Sequence, residues 1–349
     1  MQELLSRSLA IADNAKCRQV DEETKMGKRA LICGISGQDG SYLAELLLSR
    51  GYEIWGSSRD AELTTFENLH RLGIFNQVRL VSLNLRDTGS VIGLLRRIRP
   101  DEVYSLAGQS SVGLSFAQPV ETIESVALGT LTLLEAIRLS ELDTRVYNAG
   151  STECFGDTGD SVANELTQFH PRSPYAVAKA SAYWAVANYR EAYGMFACTG
   201  ILSNHDSPLR PRRFVTRKII QAAASIAAGH SVKLTLGNLD IERDWGWAPE
   251  YVQAISMMLQ QPVPRDFIIA TGQSHSLTEF VETAFSFIGK DWREFVSIDE
   301  KLMRPTDISK NKVDPSRAEV CLGWKAKNGM REVIKLMLAA EANLLQKDG

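Results

Sequence analysis

Short apolar runs alternate with amphipathic stretches through the first two hundred residues. The runs are rich in β-branched and aromatic residues, which is typical of buried strands. The predicted strands are Arg29–Cys33, Glu53–Ser57, Val78–Leu83, Glu102–Leu106, Thr144–Ala149 and Phe196–Leu202. The predicted helices between them are Tyr42–Arg50, Gly89–Ile98, Val120–Arg138 and Tyr175–Tyr193. Strands separated by helices of this length imply right-handed crossovers, so the pattern predicts an α/β fold with a doubly wound parallel sheet.

The pattern changes after about Asn204. Prolines cluster at Pro208 and Pro211, and helices then dominate, with only a few short strands. The predicted helices are Thr216–Gly229, Glu250–Leu259, Thr278–Ile288 and Arg331–Lys347. We expect an N-terminal extension at 1–26, a nucleotide-binding domain at 27–203 and mainly a substrate-binding lobe at 204–349, with an interleaved boundary.

Composition narrows the class of protein. The chain has 349 residues, of which 44% are hydrophobic and 23% charged, and its net charge of −3 does not favour nucleic acid or an acidic membrane. No apolar run approaches the ~18 residues of a membrane helix, and the polar segment Met1–Lys25 lacks the apolar core of a signal peptide. The five cysteines are scattered, which predicts a cytoplasmic protein with neither disulfides nor a metal site.

A glycine-rich turn follows the first predicted strand. The segment Gly34-Ile35-Ser36-Gly37-Gln38-Asp39-Gly40 has the spacing G-x-x-G-x-x-G and leads into a helix. Glycines at this spacing let backbone N–H groups and a helix N-terminus approach a pyrophosphate. A tight strand–helix turn is the alternative, but the position on the first strand favours a dinucleotide site.

The end of the second strand bears on the choice of dinucleotide. Arg59 stands where NAD-binding proteins usually have an acidic residue for the ribose 2′-hydroxyl. A guanidinium suits a 2′-phosphate instead, which predicts NADP. Asp60 is an opposing signal, and a solvated loop arginine is the alternative interpretation.

Two short motifs supply candidate catalytic groups. Tyr175 and Lys179 are four residues apart at the start of a helix, so both side chains share one face, and the ammonium lowers the tyrosine pKa. Ser151 and Glu153 directly follow the fifth strand. Hydride transfer needs only tyrosine, lysine and a hydroxyl, whereas a carboxylate is required if a carbon acid is also deprotonated.

Several segments resemble the GDP-mannose 4,6-dehydratase family of the extended short-chain dehydrogenase superfamily. The resemblance runs from about Lys28 to the end of the chain in one register. Its motifs are Gly37–Leu43, Pro171–Lys179, Asn204–Pro208, Phe214–Lys218, Arg243–Gly246, Arg304-Pro305 and Leu322–Lys325.

The resemblance implies a reaction and its residues. The implied reaction is redox-neutral, an internal hydride transfer with NADP that converts a GDP-sugar to its 4-keto-6-deoxy form with loss of water. The implied catalytic set is Ser151, Glu153, Tyr175 and Lys179. The implied cofactor contacts are Gly34, Ser36, Gly37, Gln38, Asp39, Gly40, Arg59, Asn84, Leu85, Leu106, Ala107, Gln109, Tyr175, Lys179 and His205. The implied substrate contacts are Ser110, Asn204, Arg217, Lys218, Arg243 and Arg304. The family also implies a homodimer or homotetramer.

Departures from the family pattern keep alternatives open. Ser151 stands for the usual threonine, Asn84 for an acid, and Ser203 for a bulky aromatic residue, so another GDP-sugar, such as a heptose, is an alternative substrate. A nucleotide-sugar reductase or epimerase, or a non-enzymatic NADP-binding protein, are rival functions. Glu153 distinguishes the dehydratase from the reductase, and the complete catalytic set argues against a binding protein. The basic run Arg210–Lys218 has a nucleic-acid patch as its alternative.

Overall fold

The computed structural model describes residues 27–348, and the expected extension at 1–26 lies outside them. The described strands are β1 (Arg29–Cys33), β2 (Glu53–Ser58), β3 (Arg79–Ser82), β4 (Glu102–Ser105), β5 (Arg145–Ala149), β6 (Ala197–Leu202), β7 (Asn204–Asp206), β8 (Leu234–Leu236), β9 (Glu242–Trp247), β10 (Phe267–Ile269), β11 (Ser274–Ser276) and β12 (Val296–Ile298).

The main sheet is parallel throughout its seven strands, in the order β10-β6-β5-β4-β1-β2-β3. The chain proceeds outward from β1 to β2 and β3, and then returns to β4 on the other side of β1. This reversal opens a crevice at the carboxyl ends of β1 and β4, where doubly wound folds bind ligands. The predicted doubly wound sheet is thereby confirmed.

Helices cover both faces of this sheet. The described α-helices are α1 (Gln38–Ser49), α2 (Glu67–Arg71), α3 (Thr88–Ile98), α4 (Val112–Ala117), α5 (Pro119–Ile123), α6 (Gly129–Leu139), α7 (Pro174–Tyr193), α8 (Val215–Ala227), α9 (Ala248–Met258), α10 (Leu277–Phe287), α11 (Ser316–Leu322) and α12 (Met330–Asp348). On one face α1 and α9 pack around buried Leu43, Leu47 and Ile255. On the other face α3, α6 and α7 pack around Leu95 and Leu133. No described helix is both long enough and apolar enough to cross a bilayer.

A second core lies beyond the carboxyl edge of the sheet. Helices α8, α10 and α12 bury Ile219, Phe280 and Val333 together, beside Trp245 of β9. Two small sheets, β11-β9-β7 and β12-β8, border this core. The chain also returns to the main sheet after residue 204, since β10 pairs with β6 and α9 packs on α1.

Three local features differ from the predicted elements. The first helix begins at Gln38 rather than Tyr42, because the glycine-rich turn forms its first turn. The predicted helix Val120–Arg138 is α5 and α6, joined by a π-helical turn at Glu124–Leu128. Such turns are frequent at functional sites, and here the Ser125 hydroxyl of the turn accepts a hydrogen bond from the N–H of Gln109 at 3.3 Å. Strand β10 was not predicted.

Candidate active site

The glycine-rich turn brings the start of α1 against the loop after β4. Gly34 has φ +88°, and a Cβ there would lie 2.8 Å from the backbone nitrogen of Ala107. A Cβ at Gly40 would collide with the carbonyl oxygen of Gly34. Both positions therefore require glycine, and this packing presents the N-terminus of α1 to the crevice.

The second lobe is joined to α1 through Asp39 and His205. The Nε2 of His205 lies 2.9 Å from Oδ2 of Asp39, and Nδ1 lies 2.8 Å from the carbonyl oxygen of Ser203. Burial alone would lower the pKa of His205, but Asp39 outweighs it and the pKa rises. Burial would likewise raise the pKa of Asp39, but His205 lowers it overall. Each partner thus favours the charged form of the other.

The ends of β2 and β3 carry two arginines. Arg59 Nη1 lies 2.9 Å from Oε1 of Glu121 in α5. Arg86 Nη1 contacts Glu124 and lies 3.8 Å from Oε2 of Glu121. Asp60, in contrast, accepts the N–H groups of its own turn, residues 62 and 63, at 3.0 Å each. This edge of the crevice is therefore made of guanidinium groups with carboxylate partners.

Ser151, Tyr175 and Lys179 meet at the carboxyl end of β5. The Ser173 hydroxyl caps α7 by accepting the N–H of residue 176 at 3.1 Å, which sets where the helix starts. Lys179 Nζ then donates to the carbonyl oxygen of Ala149 at 2.6 Å and lies 5.7 Å from the centre of the Tyr175 ring. The Ser151 hydroxyl interacts with that of Tyr175.

Burial governs the protonation of this group. It raises the pKa of Tyr175 well above its ordinary value, and the Ser151 hydroxyl only partly opposes the shift. Burial lowers the pKa of Lys179 to about 8. In the protein without ligands, Tyr175 is consequently a neutral phenol at neutral pH, and forming its phenolate requires further positive charge nearby.

Glu153 is buried beside these three residues, and it faces a chain of charges. Arg243 Nε lies 3.4 Å from Oε1 of Glu153, and Arg243 Nη2 lies 3.5 Å from Oδ1 of Asp307. Asp307 in turn lies 3.4 Å from Nη1 of Arg304. Arg243 also donates to the carbonyl oxygen of Ile308 at 2.8 Å. The carboxylate is thus held in place by a guanidinium that the second lobe fixes.

All but one of the predicted site residues line a single cavity of about 910 Å³ between the main sheet and the second lobe. They are Gly34, Ser36, Gly37, Gln38, Asp39, Gly40, Arg59, Asn84, Leu85, Leu106, Ala107, Gln109, Ser110, Ser151, Glu153, Tyr175, Lys179, Asn204, His205, Lys218, Arg243 and Arg304. The described residues contain no group of His, Cys, Asp and Glu side chains that could hold a metal ion.

Arg217 is the exception, since the structure does not place it in the lining of this cavity. Its Nη2 lies 2.5 Å from Oε2 of Glu341 in α12, and its side chain is 3% exposed. Consecutive residues of a helix point about 100° apart, so when Lys218 faces the cavity Arg217 faces the second core.

The sequence interpretation missed Arg86, Glu121 and Arg210, which also line the cavity. Arg86 follows Asn84 by two residues, so its position after β3 was a usable signal. Arg210 belongs to the basic run, but the sequence assigned it no role. In the structure its Nε lies 3.1 Å from Oδ1 of Asp206. Nothing in the sequence places Glu121 opposite Arg59.

The fold and this cavity define a member of the extended short-chain dehydrogenase class. A family model described as GDP-mannose 4,6 dehydratase matches residues 31–337, and the chain belongs to that family. GDP-mannose 4,6 dehydratase 1 of Arabidopsis thaliana is 44% identical over 93% of this chain and 92% of its own. GDP-mannose 4,6-dehydratase of Vibrio cholerae is 41% identical over 92% of this chain and 96% of its own.

Solved structures share the fold. UDP-glucose 4-epimerase of Thermus thermophilus, in complex with NAD, has a TM-score of 0.78 and 26% identity and covers 90% of this chain and 98% of its own. RMD of Pseudomonas aeruginosa, complexed with NADPH, has a TM-score of 0.74 and 21% identity, and it covers 91% of this chain and 99% of its own. The family resemblance that the sequence motifs predict is confirmed.

Proposed function

We propose that this protein is a hydro-lyase that converts GDP-mannose to GDP-4-keto-6-deoxymannose with bound NADP. The observation that carries this proposal is the buried Glu153 in the same cavity as Ser151, Tyr175 and Lys179. Those three residues suffice for oxidising or reducing a hydroxyl, and a carboxylate is the additional group that removing a proton from carbon needs. Relatives named GDP-mannose 4,6-dehydratase support this substrate.

The first half of the reaction falls to Tyr175. Its phenolate removes the proton of the sugar 4-hydroxyl, Ser151 hydrogen-bonds that oxygen, and the ammonium of Lys179 stabilises the phenolate. A bound oxidised nicotinamide would supply the hydride acceptor for C4, the hydride donor for C6 and a positive charge that favours the Tyr175 phenolate; Tyr175, Lys179 and the glycine-rich turn Gly34–Gly40 would hold it.

The second half falls to Glu153. A ketone at C4 makes the C5 proton acidic, and the Glu153 carboxylate removes it. The protonated Glu153 then gives a proton to the 6-hydroxyl, which leaves as water. Glu153, reprotonated from solvent, then delivers a proton to C5 while Tyr175 releases the 4-hydroxyl proton to solvent, so the sugar loses one water and its redox state is unchanged overall. Arg243 keeps the base aimed at the cavity.

Further cations of the cavity fit a nucleoside diphosphate. Lys218, Arg304 and Arg213 line it, and their charges match the two phosphates. Asn204 adds an amide that can donate and accept hydrogen bonds to sugar hydroxyls.

NADP is the cofactor that the residues favour over NAD. Arg59 lies at the end of β2, and the carboxylate of Asp60 is turned into its own loop. Asn84, at the end of β3, is uncharged. No acidic group is therefore available from Asp60 or Asn84 to bind a ribose 2′-hydroxyl, and a guanidinium is available for a 2′-phosphate.

A homodimer or homotetramer is the assembly that the surface favours. The adjacent elements α5, α6 and α7 expose apolar side chains. The largest exposures are 68% at Val120 and 62% at Trp184, and Leu128, Leu131 and Val177 are also exposed. Exposed apolar side chains on adjacent helices are typical of a subunit interface.

Incubation with GDP-mannose tests the activity. We expect a nucleotide sugar lighter by one water in the mass spectrum, formed without added reductant. A product of unchanged mass would indicate an epimerase instead.

A further inference from the structure

Four side chains form a charge cluster where the cavity meets the ends of β2 and β3. The rim cluster, as we call it, consists of Arg59, Arg86, Glu121 and Glu124. Strands β2 and β3 are neighbours in the sheet, so the two arginines that follow them emerge side by side. Glu121 bridges both, at 2.9 Å from Arg59 and 3.8 Å from Arg86, while Glu124 contacts Arg86.

Two arginines and one glutamate of the rim cluster face the cavity. Arg59, Arg86 and Glu121 line the cavity, and Glu124 does not. Asp60 is bound to its own turn, and Asp87 caps α3 by accepting the N–H of residue 89 at 3.1 Å. Among the described residues at this end of the cavity, Glu121 is therefore the carboxylate that a negatively charged ligand meets.

The ion pairs of the rim cluster are exchangeable. The side chains of Arg59, Arg86 and Glu121 are 77%, 41% and 34% exposed, respectively. Ion pairs at such exposure are weak, because water screens the charges and solvates each partner when they separate. A phosphate carries more charge than a carboxylate and has three acceptor oxygens for guanidinium forks, so it competes well for both arginines.

We propose that Arg86 is a second residue that selects for the 2′-phosphate of NADP, and that Glu121 is the counter-ion both arginines exchange for it. This inference rests on the proposed use of NADP. With NAD, which has no 2′-phosphate, both arginines keep Glu121. The difference in binding free energy between NADP and NAD is then the contribution of two guanidinium–phosphate contacts minus the cost of displacing Glu121. Glu121 therefore limits the preference for NADP.

Calorimetry on the cofactor-stripped full chain tests both halves of the proposal. We expect Arg86→Gln to lower the ratio of NADP to NAD affinity about tenfold, the size of one lost charge-assisted contact. Its affinity for NAD should stay within about twofold, since NAD lacks the group that Arg86 binds. We expect Glu121→Gln to raise the ratio about threefold or more, because the phosphate no longer displaces a charge.

Two other ion pairs supply matched controls. Arg79 pairs with Glu53 at 3.0 Å and Glu67 pairs with Arg71 at 2.7 Å, and neither Arg79 nor Glu67 lines the cavity. Arg79→Gln and Glu67→Gln should leave the affinity ratio unchanged. Adenosine 2′,5′-bisphosphate and adenosine 5′-monophosphate, which differ only in the 2′-phosphate, should show the same dependence on Arg86 and Glu121.

The outcomes separate this inference from the proposed cofactor. Equal affinities of the unmodified protein for NADP and NAD would overturn both. A preference for NADP that Arg59→Gln lowers and Arg86→Gln leaves intact would overturn the role of Arg86 alone. If Arg86→Gln lowered the affinities for NADP and NAD equally, the role of Arg86 would be structural, and the inference would also be overturned. An unchanged ratio of NADP to NAD affinity in Glu121→Gln would overturn the role of Glu121 as the counter-ion.

Discussion

Tyr175 and Lys179 are buried together, and burial moves their pKa values in opposite directions, because it penalises whichever form is charged. The protein thereby keeps a phenol that is hard to ionise beside an ammonium that is easy to neutralise. Both shifts favour the neutral form of each group, but a lysine with a pKa of about 8 still carries its proton at pH 7. Such a site costs stability, and that cost is measurable at Lys179.

Replacing Lys179 with methionine should stabilise the cofactor-free protein at neutral pH. Folding lowers the pKa of this lysine from 10.5 to about 8, so between these values the unfolded chain holds more protons and the native protein gains stability as pH rises. Below pH 8 the full cost is present. We expect Lys179→Met to raise the free energy of unfolding by about 1–2 kcal/mol at pH 7, after the lost hydrogen bond to Ala149 is deducted.

Chemical denaturation at several pH values measures this effect. The gain in Lys179→Met should shrink between pH 8 and 10.5, and the variant should be inactive. A gain that does not change with pH, or a loss of stability at pH 7, would show that Lys179 is not strained by its burial.

Removing Tyr175 or Glu153 should stop the reaction at different points. Tyr175→Phe should form no ketone and take up no solvent deuterium. Glu153→Gln should still oxidise C4 in a single turnover, seen as absorbance of reduced nicotinamide, while water loss slows ~10²–10⁴-fold, as expected for a lost general base. Dehydration by Glu153→Gln within a few-fold of the unmodified enzyme would make Glu153 a bystander and favour an epimerase or reductase.

Sequence patterns predict the placement of a side chain well where a motif determines both its spacing and the strand or helix that carries it. Tyr175 and Lys179 are an example, because two residues four positions apart on a helix lie on the same face. The motif containing Arg217 and Lys218 could not say which of the two faces the cavity, because that depends on how α8 rotates against the second core. Glu121 was not predictable, since its contact with Arg59 depends on tertiary packing.

At the scale of elements, α8 and α12 are joined by the buried pair of Arg217 and Glu341. Gln221, also in α8, donates to Oε1 of Glu341 at 3.1 Å. The Nε and Nη1 of Arg217 are buried without a hydrogen-bond partner, so the pair is not fully satisfied. The pair lies in the second core, whereas the neighbouring Lys218 lines the cavity.

Breaking this pair should cost stability without changing substrate affinity. We expect Glu341→Ala to lower the free energy of unfolding by about 3 kcal/mol, because it leaves a buried guanidinium without its counter-ion. The double variant Arg217→Met, Glu341→Leu should recover most of that loss. Lys218→Ala is the contrast, with unchanged stability and a raised KM. A raised KM in the double variant at full stability would return Arg217 to the substrate site.

Element boundaries were predicted where local signals mark them. The caps Ser173 and Gly194 delimit α7, whose start the sequence pattern gave to within one residue. Strand β10 escaped prediction because it has three residues and follows β6 in the sheet only after a long excursion through the second lobe. Its place depends on tertiary packing rather than on local pattern.

At the scale of the whole molecule, the helix surface of α5, α6 and α7 should control assembly. Leu131→Lys combined with Trp184→Lys places two charges on that surface and should convert the oligomer to a monomer in light scattering. Leu166→Lys is the matched control, since Leu166 is 82% exposed elsewhere and its replacement should leave assembly intact. An unmodified protein that is monomeric, or a double variant that stays oligomeric, would contradict this interface.

The main sheet and the second lobe enclose a cavity that brings Ser151, Glu153, Tyr175 and Lys179 together with Lys218 and Arg304. GDP-mannose labelled with deuterium at C4, incubated with the unmodified enzyme in ordinary water, tests the proposed reaction most directly. We predict a 4-keto product that is lighter by one water and carries the label at C6. A product that retains all its oxygens, or that loses water without label at C6, would contradict the account.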